Sequence, residues 1–555
     1  MKLADKIAKV VEEIVASNFK VKIVPQITIP EEQFGDFTSN VAMQIAGKLQ
    51  KKPYEIAESI ANSLQNLGYE ASVAGPGFVN IRVQDEELID SLVNQPDRQL
   101  EGQSWVVEYS CPNYFKELHA GHLYQTLFGD VIARLIERAG ADVHRVTFGA
   151  DVGLSAARAI WGILQFLGGE YPEKLAEIPV EERTKFIASR YVDGAKADSV
   201  DNDEKAQKEI AEINKRIYEM HASGDTESAF ARVYFECRGW CKDYFLRLYE
   251  MLKVDEFEKY YPESSTERRG KETVRANLPN VFKESDGAIV FEGEQFGLHT
   301  RVFINSAGLP TYEAKDIGLI LIEKDDFAFD RRVLVTGNEQ AEYMKVVWRA
   351  IDQIEPGVEA QMTHLTNGII RFGDGKKMSS RLGNVTSAVD VVNTVRELVG
   401  DSGDKDRDEK IALGALKYEF MKYRLGGDIA FDPQESVSLQ GNSGPYLQYA
   451  LVRARSILSK SEMRAKPTKL DSSERSLARA LVQFEEKIQE ATRDYQPHVL
   501  CTYLYDLAGI FNKFYEVSRV VGDEREAQRL YLVESYSNTL YEGLKLLGIE
   551  APEKM

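Results

Sequence analysis

The chain has 555 residues, 43% of them hydrophobic and 28% charged, which fits a globular protein of roughly two to four domains. A formal net charge of −19 excludes a globally basic nucleic-acid-binding surface, although a local basic groove is compatible with it. No apolar run is long enough to cross a bilayer, and four cysteines are too few for a disulfide framework, so a reducing cytoplasm is the expected home.

The N-terminal MKLADKIAKVVEEIVASNF is amphipathic and charged, unlike the apolar core of a signal peptide. It opens a small α/β unit expected over residues 1–95. A first helix leads to an extended KVKIVPQITI segment, then a helical stretch through NVAMQIAGKLQKKPYEIAESIANSL, and a strand at GFVNIRV closes the unit. A parallel-sheet domain is expected over 100–385. WVVEYS reads as its first buried strand, and Leu123, Leu127, Val131, Leu135 and Ile136 then recur at helical spacing up to Gly140. DVHRVTF is a second strand, which makes a βαβ unit. From about 165 to 300 the pattern is mostly helical and charged, as an insertion into the sheet would be, and RRVLVTG and GIIRF supply later strands. Ser387 and Asp390 have capping-box spacing, so a helix is expected to begin there. Connecting helices over 386–430 lead to an all-helical bundle over 431–555.

Two short motifs carry the chemistry. His119-Ala120-Gly121-His122 falls between the first strand and its helix, at the carboxyl edge where α/β sheets bind ligands. A helix N-terminus there suits a phosphate, Gly121 allows close approach, and two imidazoles one turn apart can donate to phosphate oxygens. The second motif is Lys377-Met378-Ser379-Ser380-Arg381, with Lys376 beside it, in a loop flanked by Gly373, Gly375 and Gly383. Positive charge on a glycine-flanked loop suits closure over a triphosphate. No Walker A spacing precedes these lysines, and no third ligand stands at metal spacing from His119 and His122, so no protein metal site is expected. Cys237 and Cys241, without a second pair, read as packing residues.

With both motifs in this order the chain resembles the class I aminoacyl-tRNA synthetases. The segments FGDFTSNVAMQIAGKL, GPGFVNIRV, WVVEYSCPNYFKELHAGHLYQTLFGDVIARL, LPTYEAKDIG, QGNSGPYLQYALVRARSIL, YLYDLAGIFNKFYE and LLGIEAPEKM narrow the resemblance to the arginyl-tRNA synthetases. It runs from near residue 34 to the C-terminus. It implies a Rossmann-like α/β catalytic domain with a helical insertion, a small N-terminal α/β domain that contacts tRNA, and an all-α anticodon-binding bundle. It also implies an ATP-dependent arginine–tRNA ligase that forms arginyl-adenylate and pyrophosphate, with Mg²⁺ as the usual bridge, and then charges tRNA-Arg. A cytoplasmic monomer is expected.

Residue by residue, the resemblance places ATP against His119, Gly121, His122, His364, Lys376, Lys377, Met378, Ser379 and Ser380, with His119, His122 and Lys377 catalytic. It places arginine against Glu108, Cys111, Asn113, His122, Tyr312, Asp316 and Gln340. The family more often has serine where Cys111 stands, and many members lack so complete a KMSK motif. A guanidinium matched by a buried carboxylate would reject citrulline without an editing domain. Candidate tRNA contacts are Asn80, the loop from Phe34 to Asn40, and Tyr446, Gln448, Tyr449 and Arg453 with Arg455 nearby. The competing readings are another HxGH enzyme and a non-catalytic tRNA-binding paralogue. The C-terminal helical domain and the Tyr312–Asp316 pair count against the first, the intact motifs against the second.

Overall fold

The structure, a computed structural model, describes residues 3–92, 96–372 and 387–555, so Lys376, Lys377, Met378, Ser379 and Ser380 lie outside the described residues. The N-terminal unit begins with α1 (Leu3–Phe19), whose Leu3, Ile7, Val11, Ile14 and Val15 form one buried stripe at helical spacing. Strands β1 (Ile27–Thr28) and β2 (Phe37–Ser39) precede α2 (Val41–Leu49) and α3 (Pro53–Asn66), and β3 (Glu70–Ala74) and β4 (Phe78–Arg82) follow. The four strands make an antiparallel sheet in the order β1-β2-β4-β3. A short helix, α4 (Asp85–Asp90), leads out of the unit.

The central sheet starts with β5 (Ser104–Glu108), α5 (Ala120–Arg138) and β6 (Asp142–Gly149), with β5 and β6 parallel. Parallel strands are covered on both faces, which is why Val106, Val107 and Val146 are all fully buried. Four helices come next: α6 (Leu154–Leu167), α7 (Arg183–Ser199), α8 (Glu204–Ser223) and α9 (Ala229–Leu252). They return the chain to β7 (Lys259–Pro262), which pairs parallel with β6. After α10 (Glu263–Ala276), a separate antiparallel sheet forms from β8 (Lys283–Ser285), β9 (Ala288–Phe291) and β10 (Arg301–Ile304). The expected helical insertion is present as α6–α9 between β6 and β7, but it ends at Leu252 rather than near 300. A four-residue KYYP edge strand ending in proline has neither the length nor the alternation that marks a strand in sequence.

The chain continues through α11 (Tyr312–Phe327), β11 (Arg331–Gly337), α12 (Ala341–Asp352) and β12 (Met362–Asn367). The sheet order is β12-β11-β5-β6-β7, parallel throughout. From β5 the chain moves outward to β6 and β7, then returns to β11 on the other side. The gap between β5 and β11 is therefore the switch point where such sheets open a ligand crevice at their carboxyl edge.

Beyond the sheet, β13 (Ile370–Phe372) precedes α13 (Ala388–Val399) and α14 (Lys405–Met421), and pairs parallel with β14 (Ile429–Phe431). Helix α13 opens with the expected capping box, Ser387 and Asp390 bonding each other's backbone N–H at 3.1 Å. The helical domain follows α15 (Pro433–Ser436) and comprises α16 (Gly444–Leu458), α17 (Ser472–Leu481), α18 (Phe484–Arg493), α19 (Pro497–Val517) and α20 (Glu526–Leu546). It is tied back to both other parts. Arg475 of α17 donates to Asp36 and Asp85 and, at 2.9 Å, to the Val83 carbonyl. Arg138 at the end of α5 reaches Glu485 of α18 at 2.6 Å.

Candidate active site

The HAGH tetrapeptide forms the first turn of α5, and its two histidines cap that turn reciprocally. His119 is the N-cap residue, and its Nδ1 accepts the Gly121 N–H at 3.0 Å. His122 Nδ1 accepts the His119 N–H at 3.3 Å. With Nδ1 an acceptor in both rings, the neutral tautomer carries its proton on Nε2, assigned here from the hydrogen bonds. Burial holds both imidazoles below their ordinary pKa, partly offset for His119 by the Glu339 carboxylate and reinforced for His122 by His119. At neutral pH the pair therefore offers two uncharged Nε2–H donors.

The Gly121 peptide N–H is already bonded to a histidine ring, so the ring donors rather than that N–H are what the turn presents. Gly121 is needed for the ring as well: a Cβ there would lie 2.8 Å from His119 Cε1 and 2.9 Å from its Nδ1.

The HAGH turn is joined to the start of α13. His119 pairs with Ser387 in an isolated antiparallel bridge, and the Ala388 N–H donates to the Leu118 carbonyl at 2.7 Å. The start of α13 is thus fastened beside the HAGH turn, just past the KMSSR segment.

An acidic recess lies at the crevice between β5, β11 and α11. Asp316 and Glu108 are 8% and 2% exposed, and Glu323 is fully buried. Tyr343 of α12 donates to Asp316 Oδ2. Arg332 Nε donates to Glu323 Oε2 at 2.6 Å, and its Nη2 donates to Glu108. Burial, with Glu108 adding repulsion, pushes the Asp316 carboxyl well above the usual range, and Arg332 acts against this. Burial likewise raises Glu323, to about 7. Tyr312, half-exposed, stands one turn before Asp316 on α11, so the expected shared face is observed.

The remaining predicted residues divide. Asn113 sits in a parallel bridge with Ala150 beyond β6, and exposed Gln340 ends a short 3₁₀ turn after β11. Both are at the carboxyl edge. The Cys111 thiol donates to Glu108 Oε1 at 3.5 Å, so its hydrogen is directed at a pocket carboxylate and not at a ligand. Ser110 and Cys111 both have positive φ, 70° and 43°, a left-handed kink that ends β5 and turns the chain toward HAGH. His364 lies 2.7 Å from Thr336 Oγ1 and edge-on to Trp348, and burial lowers its pKa to about 4. Cys237 and Cys241 are buried, and the Phe115 N–H donates to Cys241 Sγ at 3.3 Å, a packing role.

Two tRNA candidates are buried. Asn80 is 6% exposed in the middle of β4, and Gln448 is fully buried, donating to the Lys410 and Glu550 carbonyls at 2.8 and 2.6 Å. Tyr446 and Arg453 of α16 are instead half-buried against α19. Asn512 of α19 donates to Tyr446 Oη at 2.9 Å, and Arg453 lies 4.6 Å from the Tyr515 ring centroid. Tyr449 is exposed.

Sequence reasoning missed Tyr343, Arg332, Glu339 and a glycine pair. A Cβ on Gly270 would lie 1.9 Å from the Ala314 carbonyl oxygen, and one on Gly318 2.3 Å from that of Thr266. Helices α10 and α11 therefore touch backbone to backbone, which sets the height of Asp316 over the sheet. Gly318→Ala should cost about 2 kcal/mol or more in thermal unfolding. It should also raise the KM for the ligand held by Asp316 while leaving the nucleotide KM unchanged.

Comparison with known proteins agrees with this architecture. The family model for the class I (R) tRNA synthetase catalytic domain matches residues 87–423, the arginyl-tRNA synthetase N-terminal domain residues 1–83, and the DALR anticodon binding domain residues 447–555. An arginine–tRNA ligase of Flavobacterium psychrophilum is 29% identical, covering 91% of this chain and 90% of its own. One of Borreliella burgdorferi is 28% identical, covering 100% and 99%. The solved arginyl-tRNA synthetase of Thermus thermophilus superposes with a TM-score of 0.81 at 24% identity over the whole of both chains. That of Plasmodium falciparum gives 0.79 at 20%, over 100% of this chain and 99% of its own. The catalytic-domain match alone spans more than half of the chain, so the protein belongs to the class I arginyl-tRNA synthetase family, the ligases that use ATP to charge tRNA-Arg with arginine.

Proposed function

We propose that the HAGH turn and the acidic recess divide the first step between them. ATP lies with its α-phosphate against the Nε2–H groups of His119 and His122. Arginine enters the recess with its guanidinium toward Asp316, under Tyr312 and beside Glu108. Its carboxylate then attacks the α-phosphorus in line, giving arginyl-adenylate and pyrophosphate. Such a displacement needs positioning and charge stabilisation more than covalent help. Neutral donors suit it, because they lose no proton to the phosphate and strengthen their hydrogen bonds as charge builds. Asn113 and Gln340 flank the substrate at the carboxyl edge, and His364 stands on the adenine side.

Lys377, with Lys376 beside it, supplies cationic charge to the departing pyrophosphate in this reading, with Met378, Ser379 and Ser380 completing the loop. That assignment rests on sequence alone. Among the described residues no cluster of three or more His, Cys, Asp or Glu could hold a metal ion. Mg²⁺, when bound, would accompany the triphosphate oxygens and offset their charge. In the second step a ribose hydroxyl of the 3′-terminal adenosine of tRNA-Arg attacks the carbonyl carbon of the adenylate, forming the arginyl ester and releasing AMP, while the anticodon loop meets Tyr446, Tyr449 and Arg453. We take the enzyme to work as a cytoplasmic monomer; among the described residues no helix is long and apolar enough to cross a membrane.

One observation carries the substrate assignment. Asp316, Glu108 and Glu323 are three buried carboxylates; Glu108 and Glu323 share the single guanidinium of Arg332, and Asp316 accepts the Tyr343 hydroxyl. An arginine side chain, planar and permanently charged, meets that excess. ATP–pyrophosphate exchange, measured for each amino acid with and without tRNA-Arg, tests it. Exchange with arginine alone is expected, and exchange with another amino acid would refute the assignment.

A further inference from the structure

Arg332 is the second residue of β11, directly before the apolar Val333-Leu334-Val335 run of this parallel strand, and is 1% exposed. A buried guanidinium is costly unless its charge and hydrogen bonds are matched. Here it forks between two elements. Nε reaches back to Glu323 on α11 at 2.6 Å, and Nη2 reaches across to Glu108, the last residue of β5. Strand register places Leu334, not Arg332, opposite Glu108, so the side chain extends along the sheet toward its carboxyl edge. Glu323 and Asp316 are seven residues apart on α11, about two turns, so they share a face. The fork therefore joins the far end of that face to the strand end that bears the site.

We infer that Arg332 is a positioning residue for arginine recognition. Held from behind by Glu323, it fixes the Glu108 carboxylate at the end of β5 and supplies the internal positive charge that lets Glu108 and Asp316 stand together as acceptors for a guanidinium. The inference rests on the recess being the arginine site and adds the group that opposes its protonation.

The electrostatics of the neighbourhood agree. Glu108 on β5, Glu263 on α10 and Glu313 on α11 all act to keep a proton on Asp316, and Arg332 opposes them. Glu323 feels the same guanidinium against Glu108 and Asp326. The Cys111 thiol is held protonated by burial and Glu108. His364 of β12 is held neutral by burial and by Arg332. Without the guanidinium, three carboxylates face one another, and a proton is retained to higher pH. A protonated Asp316 cannot match the charge of an incoming arginine.

The test is calorimetric binding of arginine, and separately of ATP, to the full-length enzyme across a pH series. In Arg332→Gln the pH at which arginine affinity is half lost moves up by about one unit or more, while ATP affinity stays within about twofold. Arg332→Lys keeps the charge without the fork, so it retains the wild-type midpoint and binds arginine about tenfold more weakly at every pH. An unmoved midpoint in Arg332→Gln, or equal loss of arginine and ATP affinity, overturns the proposal. If Arg332→Gln does not fold by circular dichroism, Glu323→Gln carries the test. Removing one competing carboxylate moves the midpoint down, and an upward move overturns the proposal. The wild-type enzyme separates the two readings: failure of arginine to bind it refutes the site itself, whereas normal binding with unmoved variant midpoints refutes only the role of Arg332.

Discussion

Asp316→Asn lowers arginine affinity by on the order of 100-fold and leaves ATP affinity unchanged, because removing one charge from a buried hydrogen-bonded pair costs about 3 kcal/mol. The substitution is nearly isosteric, and its amide oxygen can still accept the Tyr343 hydroxyl that Asp316 accepts now. Thermal stability should move in the opposite direction. Burial and Glu108 raise the folded pKa of Asp316 above its unfolded value. Such a carboxyl favours the fold below the unfolded pKa, and that advantage is lost as pH rises through the folded pKa. At neutral pH the uncomplexed variant is therefore expected to unfold at the same temperature as the wild type or a higher one. Saturating arginine should raise Tm in the wild type and not in the variant. The same shift gives the wild type a pH dependence: arginine affinity falls as pH drops through the raised Asp316 pKa, in a range where an ordinary carboxylate stays ionised. Equal losses for arginine and ATP in Asp316→Asn would remove it from guanidinium recognition.

Much of this was legible in the chain itself, for reasons that differ by element. The helix after HAGH and the capping box at Ser387 were readable because local periodicity and spacing determine them. Asp316 was placed one turn from Tyr312 by helical geometry, once the segment was read as a helix. What escaped was set by distant contacts. The KYYP strand is a strand because β6 pairs with it, not because of its composition. Asn80 and Gln448 were candidate RNA contacts by resemblance, and their burial is set by strand pairing and helix packing that the sequence does not display. Gly270 and Gly318 lie in helical sequence where glycine is merely unfavourable, and only the crossing of α10 and α11 explains them. Arg332 did leave a trace: a second arginine inside an apolar strand-like run is unusual and implies a buried partner. Its partners, Glu108 and Glu323, come from elements that sequence spacing does not relate.

Gly121→Ala should abolish most adenylate formation at almost no cost in stability. The added Cβ would sit 2.8 Å from a ring carbon of His119, and the side chain can yield by rotating where a backbone could not. Rotation takes Nδ1 off the Gly121 N–H and loses an N-cap worth about 1 kcal/mol. Replacing glycine by alanine within a helix returns a similar amount, so Tm is expected to hold steady. The rate has no such compensation. The rotated ring no longer aims Nε2–H where His119 is proposed to meet the α-phosphate, and one misplaced charge-stabilising donor costs roughly 100- to 1,000-fold in kcat. Arginine affinity should be unaffected, since Asp316 and Glu108 belong to other elements. His119→Asn is the companion variant. It keeps a good N-cap acceptor and leaves Gly121 undisturbed, but it lacks the Nε2–H. If the glycine acts through the ring, both variants slow pyrophosphate exchange by similar factors, and combining them costs little more than either alone. A fast Gly121→Ala beside a slow His119→Asn would mean that the ring reaches the phosphate from more than one rotamer, and that the cap observed here orders the helix without aiming the catalyst.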